Sequence, residues 1–180
     1  MAKITRVCLI GPESTGKTRL AERLAQHFGA TWLPEHAREY AERRNNQLSY
    51  DDVEAIARGQ MQIADRGSEI AGVVILDTDL ISTVVYARHY YGRVPQWIVE
   101  EARKHRADLY LLMVTDVPWI ADPARDTGGE GREQLFDAFR AALDEFECEW
   151  VIISGDWEER FRSSVAAISG NRPPATGNEP

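Results

Sequence analysis

Lysine is scarce in this 180-residue chain, which has only Lys3, Lys17 and Lys104 and otherwise uses arginine as its basic residue. With 29 acidic against 21 basic residues the formal charge is −8, which argues against the clustered Lys and Arg that a nucleic-acid backbone requires. No nucleic-acid partner is expected. Cysteine is scarcer still. Cys8 and Cys148 belong to separate apolar runs without metal-ligand spacing and read as buried, reduced thiols. The four histidines, His27, His36, His89 and His105, form no ligand pair or triad. No apolar run reaches the roughly 18 residues of a membrane span, and the N-terminus lacks the apolar core of a signal peptide. No internal repeat is present either. These absences lead to the expectation of a soluble, cytoplasmic protein without a membrane span.

What remains is 43% apolar, enough to bury the core of one domain. Short apolar runs alternate with amphipathic stretches. Ile4 to Ile10, Thr31 to Leu33, Val73 to Leu76, Asp108 to Thr115 and Trp150 to Ser154 read as strands, several of them apolar throughout as in strands covered on both faces. Between them, Leu20, Leu24 and Phe28 mark one helix ending at Gly29, and Pro34 opens a charged helix that Asn45-Asn46 breaks. Ser49 and Asp52 have capping-box spacing before a helix expected to run to about Ala71. Further helices are expected over Leu80 to Tyr91, from Pro95, through Leu135 to Phe146, and over Glu158 to Ile168. The alternation predicts an α/β fold, a five-stranded, mostly parallel sheet between helical layers, over residues 1–169. The Gly-, Pro- and Asn-rich residues 170–180 read as a disordered tail.

Between the first strand and the first helix lies Gly11-Pro12-Glu13-Ser14-Thr15-Gly16-Lys17-Thr18, a complete Walker A sequence. Its glycines let successive N–H groups turn inward, and the helix beginning near Lys17 adds its positive end to the same cavity. Gly11, Glu13, Ser14, Thr15, Gly16, Lys17 and Thr18 are the candidate nucleotide-binding residues. Lys17 suits the β and γ phosphates, and Thr18 suits a Mg²⁺ bridging them. A guanine-specific protein needs an Asn-Lys-x-Asp reader, and none exists here, so ATP is the expected nucleotide.

Asp77 ends the third apolar run and is the second candidate Mg²⁺ ligand. Thr78 follows it where energy-coupling ATPases place a water-activating carboxylate, which favours phosphotransfer. Asp79 suits either an acceptor hydroxyl or the N-cap of the next helix, and Glu35 shares a helical face with Arg38 and Glu39. One of Glu35 and Asp79 is expected to take the proton of the attacking hydroxyl. The Gly- and Arg-bearing segment 119–132 reads as a hinged lid that brings Arg125 and Arg132 to the phosphates. Aromatics flank these positions, among them Tyr40 and Tyr86.

Gly11 to Thr18, Pro34-Glu35-His36-Ala37-Arg38-Glu39-Tyr40, Leu76-Asp77-Thr78-Asp79 with Thr83, and Asp122 with Arg125 together resemble the ribosylnicotinamide kinase domain of NadR-type proteins, often grouped with AAA-type ATPases. The resemblance covers about residues 4 to 168. It implies transfer of the ATP γ-phosphate to the ribose 5′-hydroxyl of nicotinamide riboside, with Glu35, Arg38, Tyr40, Asp79 and Tyr86 on the acceptor side. NadR-type proteins can also carry DNA-binding and adenylyltransferase domains, which do not fit in 180 residues. A kinase for another nucleoside or small alcohol and a regulatory, nucleotide-sensing ATPase are the alternative expectations.

Overall fold

The computed structural model describes residues 5–116 and 128–170. Five parallel strands form one sheet in the order β2-β3-β1-β4-β5, where β1 is Arg6–Ile10, β2 Thr31–Leu33, β3 Val74–Asp77, β4 Leu109–Met113 and β5 Trp150–Ile153. Every pairing is parallel. Parallel neighbours need crossovers, and the helices supply them: α1 (Lys17–Phe28), α2 (His36–Arg43), α3 (Val53–Ser68), α4 (Leu80–Tyr91), α5 (Gln96–Lys104), α6 (Gly128–Glu145) and α7 (Trp157–Ile168).

Two apolar cores follow from the period-2 alternation of the strands. Val7, Leu9, Leu109, Leu111 and Met113 face α1 and α7, packing with Leu20, Leu24 and Ile168. Cys8, Ile10, Tyr110 and Leu112 face the opposite layer and pack with Val84, Leu135 and Phe139. The result is a three-layer sandwich whose central strands are covered on both sides. Among the described residues no helix is long and apolar enough to cross a membrane.

Local differences from the sequence pattern have physical causes. The charged helix begins at His36, with Glu35 as its N-cap, because Pro34 and Glu35 still complete the turn out of β2. Asn45 and Asn46 end it in left-handed conformations, φ 52° and 59°, which Asn tolerates. The Ser49–Asp52 capping box forms, but it opens a 3₁₀ turn over Tyr50–Asp52 before α3 begins. Helix α3 stops at Ser68 rather than near Ala71, and Gly67 sits where a Cβ would meet Leu33 Cδ1 at 2.7 Å. Helix α6 starts at Gly128, so the last residues of the expected lid, Gly128 to Arg132, are helical. The buried stripe of Leu135, Phe139 and Leu143 anchors that helix, and propagation carries it back through the glycines. The rest of the expected lid, with Arg125, and the expected tail from 171 onward lie outside the described residues. Cys8 is buried, whereas Cys148 is only half-buried.

Candidate active site

The register places functional side chains together at the carboxyl ends of the strands. Leu9 pairs with Asp77, so the exit of β1 into the glycine loop lies beside the end of β3. Gly11 has φ 136°, and a Cβ there would stand 2.8 Å from the Met113 carbonyl, so backbone conformation and close packing both demand glycine. Inside the loop the Thr15 hydroxyl donates to the Pro12 carbonyl at 2.9 Å. Lys17 Nζ donates to the carbonyls of Gly11 and Pro12 at 2.8 and 2.6 Å, which holds the ammonium over the cradle.

Thr18 Oγ1 donates to Asp77 Oδ2 at 2.5 Å. The other Asp77 oxygen, Oδ1, is buried without a hydrogen-bond partner among the described residues. Burial pushes the Asp77 carboxyl above its ordinary range, and the charge of Glu35 adds to the effect, against the Thr18 hydrogen bond and Lys17. An unsatisfied hard oxygen beside a threonine hydroxyl fits Mg²⁺, which takes few protein ligands and keeps several waters. No group of three or more His, Cys, Asp or Glu side chains among the described residues could hold a metal ion.

Beside this cradle a cavity of about 230 Å³ opens between α2, α3 and α4. Glu35, Gln60 and Asp79 form its polar wall, and Val53, Ile56, Tyr86, Tyr90 and Tyr91 its apolar wall. Lys and Arg are absent from its lining among the described residues. Asp79 is committed on both oxygens: Oδ1 caps α4 by accepting from the Ile81 N–H at 2.9 Å, and Oδ2 accepts from the Tyr110 hydroxyl at 2.6 Å. Burial pushes its carboxyl up to about 6, against those hydrogen bonds. The preceding Thr78 is left-handed, φ 67°, an outlier for a β-branched residue. Its N–H extends the ladder to the Leu9 carbonyl at 3.1 Å and its carbonyl accepts from Gln60 Nε2 at 3.2 Å. Glu35 is buried, with the Arg38 guanidinium 3.9 Å away.

Residues 6–160 match the AAA domain family. The chain belongs to this family. The trifunctional NAD biosynthesis/regulator protein NadR of Escherichia coli (strain K12) is 29% identical over 172 residues, covering 92% of this chain and 42% of that protein. A crystal structure of NadR protein in complex with NR superposes with a TM-score of 0.71 at 29% identity, over 98% of this chain and 53% of that one. Another, in complex with NAD and AMP-PNP, gives 0.73 at 30% identity, over 99% and 51%. This AAA domain thus spans about half the length of the relatives it matches, or less.

The candidate residues separate into distinct groups. Gly11 to Thr18 and Asp77 form the cradle, and Glu35, Asp79 and Tyr86 line the cavity. Tyr86 also bridges the two, its hydroxyl donating to Glu13 Oε2 at 3.2 Å. Tyr40 lies apart from this cavity: its hydroxyl donates to Asp52 Oδ1 at 2.9 Å, and it borders a separate groove with His36, Arg43 and Arg58, because a residue five positions after Glu35 falls on a different face of α2. Arg38 reaches the site through Glu35. Arg132, from the first turns of α6, is buried and its Nη2 lies 3.5 Å from the Ser14 carbonyl.

Sequence reasoning missed Gln60, Tyr110 and Arg160. Arg160 is 0% exposed. Its guanidinium donates to the carbonyls of Gly155, Thr15 and Val114 at 2.8, 3.1 and 3.1 Å and to the Asp116 carboxylate, tying the phosphate loop to the ends of β4 and β5. Gln60 accepts from the His36 N–H at 3.1 Å and so locks the start of α2 to the Thr78 turn. The available signal for Gln60 was a polar residue inside the apolar stripe of α3.

Proposed function

We propose that this AAA domain is a cytoplasmic, Mg²⁺-dependent kinase that transfers the γ-phosphate of ATP to the 5′-hydroxyl of nicotinamide riboside, giving nicotinamide mononucleotide and ADP. The observation that carries the proposal is the adjacency of the phosphate cradle to an acidic, tyrosine-walled cavity without a basic residue in its described lining. Such a cavity suits a flat, cationic pyridinium riboside and disfavours an acceptor that already bears phosphate. The likeness to NadR, one structure of which holds NR and another AMP-PNP, supports the same acceptor and donor.

In the reaction the 5′-oxygen attacks the γ-phosphorus as the bond from that phosphorus to the β,γ-bridging oxygen breaks. The hydroxyl proton passes to Glu35, since both oxygens of Asp79 already accept structural hydrogen bonds. Asp79 instead fixes the start of α4, and with it the cavity wall. Lys17 leaves the loop carbonyls for the phosphate oxygens, and Arg132 adds positive charge beside Ser14. Thr18 and Asp77 would hold Mg²⁺, which when bound would supply positive charge against the charge developing on the phosphates. A steady-state assay over a nucleoside panel tests the proposal. Saturable, ATP-dependent phosphorylation of nicotinamide riboside is expected; turnover of other nucleosides alone would replace the acceptor, and hydrolysis indifferent to every acceptor would replace the reaction.

A further inference from the structure

The nucleobase of the phosphate donor has no place in the site as described so far, and sheet order restricts where it can go. Glu35 and Asp79 follow β2 and β3, so the acceptor cavity lies on one flank of β1. In-line transfer puts the acceptor, the γ-phosphate and the leaving group in one row across the loop. The nucleoside end of the donor must therefore leave over the opposite flank, above β4, β5 and the turn into α7. This direction rests on the acceptor assignment above.

On that flank stands Trp157, one of three large hydrophobic side chains that stay exposed among the described residues, at 38%. Its six-membered ring is seated on the phosphate loop: a Cβ added to Gly16 would lie 2.1 Å from Trp157 Cη2. The Arg19 guanidinium, one residue beyond Thr18, is 5.1 Å from the ring centroid. The turn that carries the indole is fixed from below. Asp156 caps α7 by accepting from the N–H groups of Glu158 and Glu159, and Arg160 grips the Gly155 carbonyl. An exposed aromatic held rigidly against a phosphate loop costs little entropy to use as a binding surface.

We infer that Trp157 is the stacking platform for the base of the donor nucleotide, with Arg19 as the neighbouring cation. The same turn explains what the platform does not do. The Gly155 backbone is already engaged, since its N–H donates to Asp116 at 2.7 Å and its carbonyl accepts from Arg160. A purine is then held by its face, with no edge contact from Gly155, and both purine nucleotides are accepted.

Calorimetric titration of the protein with Mg·ATP, Mg·GTP and Mg·tripolyphosphate, together with the Trp157→Ala and Trp157→Phe variants, tests this without an acceptor. The wild type is expected to bind ATP and GTP within about tenfold of each other. Trp157→Ala should weaken both by roughly 10- to 100-fold while leaving tripolyphosphate unchanged, with Trp157→Phe intermediate. Unchanged ATP binding in Trp157→Ala would overturn the inference. So would a parallel loss of tripolyphosphate, which would reduce Trp157 to a prop for the loop, or strong ATP selectivity in the wild type. The phenylalanine variant, which keeps an aromatic face at the turn, decides the matter if the alanine variant does not fold. Because no acceptor is present, failure of the nicotinamide riboside assay and failure of this inference are separate results.

Discussion

At the scale of single residues, the two carboxylates on the cavity wall have different partners. Asp79 serves a helix N-cap and a buried tyrosine, whereas Glu35 faces the cavity from the start of α2. With Glu35 as the proposed base, Glu35→Gln is expected to lower kcat by roughly 10²- to 10⁴-fold. Asp79→Asn should behave in the opposite manner, costing about 0.5–2 kcal/mol through the cap and less in rate. Steady-state kinetics beside thermal melts separates them, and equal rate losses would reopen the assignment of the base. Arg160 belongs to the same scale. Three carbonyls and a carboxylate depend on its forked guanidinium, a geometry that an ammonium cannot reproduce. Arg160→Lys should cost about 2–4 kcal/mol, lowering Tm by roughly 4–16 °C at 2–4 °C per kcal/mol. Well below Tm, its KM for ATP should rise more than its KM for the acceptor, because the loop carbonyl it holds belongs to Thr15.

At the scale of elements, periodicity made most of the architecture legible. Buried strands such as Val74–Asp77 and stripes such as Leu20, Leu24 and Phe28 announce themselves by local spacing alone. The glycine loop was legible for the same reason, since all its chemistry lies within eight consecutive residues. What stayed hidden were partnerships across the chain. Arg160 lies 145 residues from Thr15, Tyr110 lies 31 from Asp79, and Gln60 lies 18 from Thr78, and no local pattern encodes such pairs. Tyr40 lies in a different groove from Glu35, since membership in the Pro34 to Tyr40 run says nothing about which face of α2 a side chain occupies.

One short element yields a pH prediction. Asp52 closes the capping box before α3, accepting from the Ser49 N–H at 2.8 Å and from the Tyr40 hydroxyl at 2.9 Å, with Arg44 at 3.3 Å. The Ser49 backbone hydrogen bond, ahead of the Tyr40 and Ser49 hydroxyls and Arg44, holds its carboxyl below the usual range although burial opposes it. A depressed carboxyl stabilises the folded state above its unfolded value and loses that contribution as pH falls through its folded value. Asp52→Asn should cost about 1–3 kcal/mol at pH 7. The difference from wild type should hold down to about pH 4 and shrink below it. Denaturant titrations across pH check this, and a difference independent of pH would contradict it.

At the scale of the whole molecule, the sheet order sets the direction of the chemistry. Strand β1 lies at the middle of the row, with the cavity carboxylates Glu35 and Asp79 after β2 and β3 on one flank and the Arg160 network after β4 and β5 on the other. Open parallel sheets bind ligands at such carboxyl ends. This arrangement makes the phosphate loop the midpoint of a track that runs across the sheet rather than along a strand.

The hydrogen bond from Tyr110 to Asp79 crosses the same midline underground. Tyr110 lies on β4 and Asp79 follows β3, with β1 between the two strands and Cys8 the register partner of Tyr110, and the phenol is fully buried. Burial first, then the negative charge of Asp79, pushes its ionisation well above that of a free phenol. The folded state then gains stability from the neutral phenol below the ordinary tyrosine value near pH 10 and loses it as pH rises beyond. In alkaline ultraviolet titration, exposed tyrosines should ionise progressively, whereas the phenolate absorbance of Tyr110 should appear only in step with the loss of far-ultraviolet dichroism. Tyr110→Phe should remove one chromophore from that late, cooperative phase, which makes the ultraviolet spectrum a direct count of intact sheet cores.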